Sequence, residues 1–357
     1  MIYPIPMDLL IDTYGTFIGA TGERITISLP GPKPPLPSGR KRRKIGLPKP
    51  PRTKKEYPIR RLNKIVILRP SSISMHAVQL ALEHEVDIVY LGAFGKPVGR
   101  IFSSDPKGLA TLRRAQLTVS SDPAKSFELA RTFVVGKCRN QIRFMRHLAD
   151  RYGAENAKER IQAEAVFESI GKLLPSNRAN EEMLGLEGSI AERYWHGMKS
   201  LFKFPGRIPQ GRDKFNSAIN YGYGILYNEV ERACLYIGLD PYLGLYHSER
   251  YGKPALVLDM VEEFRVPLVD AAIIPLFINK EIGKRGDFEL VAKGEYRLSA
   301  KGKSKVVGAV LKRLDQKVTH RGKKRTLRAA ITEQSELLAR IFLEKEKMYV
   351  PFEYSAP

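Results

Sequence analysis

The stretch from Asp240 to Asp270, DPYLGLYHSERYGKPALVLDMVEEFRVPLVD, concentrates the side chains able to do chemistry. A turn with Pro241 and Gly244 leads to His247, a polar loop follows to Gly252 and Pro254, and the apolar run Ala255 to Leu258 enters Asp259-Met260-Val261-Glu262. A helical turn that begins at Asp259 brings Glu262 back to the same face three residues on, and Glu263, four residues on, is its rival. One imidazole and two carboxylates at one spot suit a divalent ion with mixed nitrogen and oxygen ligands. A further carboxylate must come from elsewhere, and Glu187 in LGLEGSIAERYW is the best candidate. Gly185 and Gly188 flank it, letting a backbone, a metal or a phosphate come close. Leu184, Leu186, Ile190 and Tyr194 bury its face, where an unpartnered charge is costly. The expected ligands are Glu187, His247 and Asp259, with Glu262 as a fourth ligand or a support. The imidazole softens an otherwise oxygen-based site, so the expected ion is Mg²⁺ or Mn²⁺. Such an ion supplies the charge stabilisation that phosphodiester exchange requires. Each residue also has a plainer role: Glu187 as an exposed acid, His247 as a loop cap, Asp259 as a helix N-cap.

These residues need a scaffold, and the 357-residue chain is long enough for two domains. Residues 7–29 read as three strands, MDLLID, TFIGAT and RITISL, separated by turn signals. IRRLNKIVILRP, DIVYLG and KPVGRIF add strands, and Ser72 or Ser74 caps a helix over ISMHAVQLALEHE. From about residue 108 the periodicity is helical, through LATLRRAQLTV, SFELARTFVVGKCRNQIRFMRHLADRYG, the Glu187 helix at 179–204 and DKFNSAINYGYGILYNEVERACLYIGL. The fold expectation is therefore α+β: a small β-sandwich over 1–104 and a larger α-helical catalytic domain over 105–357. Asn216 and Asn220 share a helix face, as loop holders or DNA contacts. Tyr221 and Tyr223 invite a phosphotyrosine mechanism, which a metal site makes unnecessary.

Charge names the partner class. The chain carries 60 Lys and Arg against 38 Asp and Glu, a net charge of +22. Residues 33–61 hold 12 basic side chains and one acidic, and residues 280–328 hold 16 and five, so the excess sits in two segments. That distribution points to a polyanion such as DNA rather than to a membrane surface, since neither segment has an amphipathic apolar face. The first segment, the loop 31–57, is so rich in proline that it is expected to project rather than pair as a strand. It serves as a DNA contact or as a tolerated surface loop. Lys137, Arg139, Arg143 and Arg146 line one helix, as a basic face toward DNA or as solvated surface residues, and THRGKKR over 319–325 reads as a phosphate-gripping loop. No apolar run approaches the roughly 20 residues of a membrane span. No signal peptide is evident, and Cys138 and Cys234 are too few for a disulfide framework or a zinc site, which fits the cytoplasm. A phosphate-binding G-x-x-x-x-G-K-[ST] motif is missing, consistent with isoenergetic exchange.

LGLEGSIAERYW, NYGYGILYNEVERA, GLDPYLGLYH and LVLDMVEEFRVPLVD, in that order, together with the N-terminal strands and the tail GEYRLSAKGKSKVV and MYVPFEY, resemble the CRISPR-associated integrase that captures new spacers, the first universal Cas protein. The resemblance covers nearly the whole chain. It implies Glu187 as a metal ligand, attack of a DNA 3′-hydroxyl on a repeat phosphodiester, and plain nicking at the same site. It also implies a homodimer through the N-terminal domain, bridged by the second universal Cas protein, a small ferredoxin-fold dimer. Lys253 matches a basic position of the pattern; with Arg212, Arg139, Lys323, Arg325 and Arg42 it is expected on phosphate. Departures are Ala255 where serine is common, Val266 inside FR-PLVD, and the enlarged loop 31–57. The competing reading is a non-catalytic DNA-binding scaffold that uses the two basic segments.

Overall fold

The computed structural model describes residues 7–31, 53–91, 97–101, 109–153, 167, 179–247 and 252–354. Arg42, Tyr251 and most of the loop 31–57 lie outside these residues. The chain divides into two compact units, one of Met1–Gly92 with Lys96–Asp105, the other of Ala93–Gly95 with Pro106–Pro357.

In the first unit, β1 (Met7–Ile11), β2 (Phe17–Thr21), β3 (Arg24–Leu29), β4 (Thr53–Pro58), β5 (Leu62–Ile67), β6 (Ser72–Ile73), β7 (Asp87–Leu91) and β8 (Pro97–Ile101) form two four-stranded sheets, ordered β1-β5-β7-β8 and β4-β3-β2-β6. The central strands carry runs of buried side chains, such as Ile25 to Ile27 in β3 and Ile88–Val89 in β7, while β4 stays largely exposed. Leu9, Ile18, Ile25, Ile65 and Ile88 from both sheets share one core with Ala77 and Ala81 of α1 (Met75–Glu83). Ser74 is the cap, its hydroxyl accepting from Ala77 N at 3.2 Å. One expectation is corrected here. Residues 53–58 of the basic segment do pair as a strand, antiparallel to β3 with Ile25 opposite Tyr57, because the prolines leave Thr53 to Tyr57 free to form the ladder.

The second unit is helical: α2 (Leu109–Ser120), α3 (Pro123–Tyr152), α4 (Ala179–Met198), α5 (Lys214–Ile237), α6 (Ala255–Met260), α7 (Ala271–Ile278), α8 (Ala300–Leu314) and α9 (Leu327–Phe342). Two hairpins accompany them, Phe288–Ala292 with Glu295–Leu298 and Lys317–His320 with Lys323–Thr326. THRGKKR is therefore a hairpin turning at Arg321-Gly322, both at positive φ, rather than an open loop.

The chemistry-bearing segment changes pitch along its length. α6 ends at Met260, a 3₁₀ turn spans Glu262–Phe264, and a π-helical turn spans Arg265–Asp270. Asp259 thus lies in the last turn of α6 and does not begin a helix as expected. Pro267 supplies the reason, because it has no N–H to donate to the Glu263 carbonyl four residues back. That carbonyl accepts instead from Asn140 Nδ2 of α3 at 2.8 Å.

Glu263 faces the C-terminal strap. Its carboxylate accepts from Tyr349 Oη, from Phe352 N and from Gln334 Nε2 at 3.3 Å. Asn140 donates to Phe352 O at 2.9 Å and accepts from Tyr354 N at 2.6 Å. Gly136 lets the strap approach, since a Cβ there would lie 2.6 Å from Pro351 Cβ. Burial lifts the Glu263 carboxyl to about 7 against the pull of these three donors. Its role is to hold the strap, which removes it as the rival of Glu262. Glu263→Ala should destabilise the chain by about 3 kcal/mol, because three buried donors lose their acceptor. Urea unfolding checks this, and Glu263→Gln, which keeps an acceptor, should cost less.

Candidate active site

Acids from two different elements converge on Lys137 of α3. Glu187 of α4 is buried, and its Oε1 accepts from Lys137 Nζ of α3. Glu262 Oε2 lies 2.8 Å from the same ammonium. Each acid has its other oxygen held elsewhere: Tyr246 Oη donates to Glu187 Oε2 at 2.9 Å, and Arg265 pairs with Glu262 Oε1 at 2.9 Å. Arg265 is itself fixed, lying over the rings of Tyr223 at 4.8 Å and Tyr227 at 5.6 Å. Burial would raise the Glu262 carboxyl, yet Arg265 and Lys137 outweigh it and hold the group at about 2. Burial likewise opposes charge on Lys137, but Glu262 and Glu187 prevail and keep it protonated.

Asp259 has different partners. It is fully buried, and its Oδ2 accepts from Leu245 N at 2.6 Å and Tyr246 N at 3.1 Å. Its Oδ1 accepts from His247 N at 2.9 Å and meets His247 Nδ1 at 2.7 Å. A carboxylate oxygen accepts, so Nδ1 is the donor of this pair, and in the neutral ring Nε2 is the nitrogen left to accept or ligate. Gly244 makes this turn possible: a Cβ there would lie 2.5 Å from Ala255 Cβ, where α6 begins.

The four expected ligands therefore fall into two pairs, Glu187 with Glu262 on Lys137 and His247 with Asp259. Tyr246 links them through its backbone N–H and its hydroxyl. Among the described residues, no three His, Cys, Asp or Glu side chains stand together as ready metal ligands. Glu187 and Glu262 do suit a cation, because each aims one oxygen at a single half-buried positive charge.

Lys137 is thus not part of a DNA-facing stripe, as its helical position suggested. Arg139 and Arg143 are also engaged, both pairing with Glu353 of the strap at 2.7 and 2.8 Å. Among the described residues, a Cβ placed on Gly185 or Gly188 would meet no atom within 4 Å, and Leu184 is 60% exposed, so none of them packs on this edge of α4. Tyr246, Arg265 and Glu353 escaped the sequence reading, although Arg265 stands at i+3 from Glu262, a spacing that signals an ion pair.

Behind Arg265, Asp270 accepts from Tyr223 Oη at 2.7 Å and Tyr194 Oη at 2.8 Å. This commits the Tyr223 hydroxyl, and Tyr221 is buried, which removes both as nucleophiles. Asn216 and Asn220 hold a loop, accepting from Arg207 at 3.0 and 2.7 Å. Burial, opposed by the two phenols, lifts the Asp270 carboxyl to about 6. A raised carboxyl pKa favours the folded state fully below the ordinary value near 4, and that contribution is lost as pH rises through 6. It is worth roughly 3 kcal/mol. Asp270→Asn should lack this part of the decline in urea midpoint between pH 4 and 6.

Of the expected phosphate contacts, Lys253 and Lys323 are exposed. Arg212 pairs with Glu295 at 2.9 Å in an exposed ion pair that phosphate can exchange at little cost, and Arg325 with Glu333 at 2.7 Å in a half-buried one.

The comparisons with known proteins agree with one another. A CRISPR-associated endonuclease Cas1 from Pyrobaculum aerophilum is 37% identical over 220 residues, covering 61% of this chain and 72% of the relative. One from Thermus thermophilus is 32% identical over 306 residues, covering 83% and 87%. Among solved structures, a casposase bound to its integration product matches with a TM-score of 0.80 at 24% identity, over 98% of this chain and 94% of that one. A Cas1 protein from Thermotoga maritima matches at 0.73 and 19% identity, over 97% and 100%. These two share the fold, an N-terminal unit of small sheets followed by a larger helical one. The family model described as CRISPR associated protein Cas1 matches residues 9–312. The chain belongs to the Cas1 family.

Proposed function

We propose that this chain is a divalent-metal-dependent DNA endonuclease and integrase of CRISPR adaptation. The observation that carries the reading is the meeting of Glu187 and Glu262, 75 positions apart in the sequence, at one half-buried cationic point. The relatives named as CRISPR-associated endonucleases and the casposase complexed with an integration product support the same reaction class. Glu187, Glu262 and His247 through Nε2 would hold Mg²⁺ or Mn²⁺. Asp259 orients His247 and fixes its tautomer rather than supplying an oxygen of its own. When bound, the ion polarises the scissile phosphate and offsets the charge that develops on its oxygens.

The protein's part is positioning. Arg265 and Tyr246 keep the two carboxylates in place, and Lys253, beside His247 in sequence, supplies a cation for the DNA backbone. A DNA 3′-hydroxyl displaces a 3′-hydroxyl leaving group at the repeat phosphodiester, one bond forming as an equivalent one breaks, so no nucleotide cofactor is needed. The partners are DNA, a second copy of this chain, and the second universal Cas protein; a Cas6-RT-Cas1–Cas2 complex with a TM-score of 0.71 supports the last by likeness of fold.

The alternative is a scaffold that binds DNA without cutting it, favoured by the neutralisation of the two carboxylates by Lys137 and Arg265 and by the basic segments. One assay separates the two: a DNA fragment with a repeat-bearing plasmid, in Mn²⁺ or in EDTA. Joined product that needs Mn²⁺ supports the integrase. Salt-sensitive binding with no joined or nicked product in either condition supports the scaffold.

A further inference from the structure

Lys137 presents a conflict that the reaction alone does not resolve. Its ammonium is bound to the two oxygens, Glu187 Oε1 and Glu262 Oε2, that the other supports leave over. Glu187 Oε2 belongs to Tyr246, and Glu262 Oε1 belongs to Arg265. A divalent ion held by both acids therefore competes with Lys137 for the same two atoms. Charge sharpens the conflict, because Glu187 and Glu262 are already balanced by Lys137 and Arg265. Two further positive charges in a buried pocket would be costly unless one cation leaves.

The two basic residues differ in their freedom to leave. Arg265 is sandwiched by the Tyr223 and Tyr227 rings as well as ion-paired. Among the described residues Lys137 pairs with the two acids alone, on a flexible four-carbon stem that swings without breaking a planar fork.

We propose that Lys137 is a displaceable counter-ion: it fills the place between Glu187 and Glu262 until a divalent cation takes it, and then turns to the phosphate brought in with DNA. This rests on the reading of Glu187 and Glu262 as metal ligands. The device keeps two buried carboxylates compensated at every stage, and it weakens metal binding in the absence of DNA, because part of the ion's affinity goes to expelling the ammonium.

The test is Mn²⁺ titration of the full chain without DNA, followed by electron paramagnetic resonance of the free ion, for wild type and Lys137→Met. The variant keeps the stem and removes the charge. It should bind Mn²⁺ about tenfold more tightly than wild type, and Mn²⁺ should raise its melting temperature by more. Equal or weaker binding by Lys137→Met would overturn the displacement while leaving the metal site standing. Binding by neither protein would overturn the metal site as well. If Lys137→Met does not fold, acetylation footprinting of wild type decides: Mg²⁺ should raise labelling of Lys137 several-fold, and unchanged labelling refutes the proposal.

Discussion

Glu187→Gln is expected to lower strand joining by about a thousandfold or more while duplex affinity stays near that of wild type. The amide matches the carboxylate in size, removes its charge, and turns one of the two acceptor oxygens that Lys137 and Tyr246 use into a donor. A loss of about 4 kcal/mol of transition-state stabilisation corresponds to that factor. Lys137 keeps Glu262 as its partner in this variant, so the fold should survive and the lost activity can be assigned to chemistry. Glu262→Gln should remove activity to the same extent but also stability, because Arg265 and Lys137 then share one fewer buried negative charge. Filter binding, joining and urea unfolding on both variants check this pattern. Full joining by either variant would exclude that acid from the reaction.

Asp259→Asn is the second large effect. Asp259 accepts from three backbone N–H groups and from the ring of His247, so four donors converge on its two oxygens. An asparagine must aim its amide N–H₂ at some of them, setting donor against donor. The turn at 245–247 then loosens, and His247 loses the acceptor that keeps its proton on Nδ1. Metal affinity and joining should each fall by about 10- to 100-fold. A raised metal concentration should recover part of the joining, because Asp259 acts through His247 and not on the phosphate. No recovery at saturating Mn²⁺, with the fold intact, would argue that Asp259 is itself a ligand.

Several features were legible in the residues themselves. Apolar runs between turn signals gave β1, β2, β3, β5 and β7, and the acid, imidazole and glycine pattern of Asp240 to Asp270 marked the segment that carries the chemistry. Asp259 and Glu262 stand three residues apart, yet the 245–247 backbone and His247 take Asp259 while Lys137 and Arg265 take Glu262. The basic stripe on α3 misled. Periodicity gives a side chain its face but not what packs against it, and Lys137 meets two acids while Arg139 and Arg143 meet Glu353, about 210 residues away in sequence. Glu262 and Glu263 were indistinguishable by spacing. Only the docking of the Tyr349–Tyr354 strap separates a buried clamp from a candidate ligand.

The most direct measurement is anomalous diffraction from crystals of the full chain grown with Mn²⁺. One manganese peak is expected, bounded by the carboxylates of Glu187 and Glu262 and by His247 Nε2, with Asp259 still on the 245–247 backbone and Lys137 turned away. A peak coordinated by Asp259 while Lys137 remains between Glu187 and Glu262, or no peak in this region at saturating Mn²⁺, would contradict it.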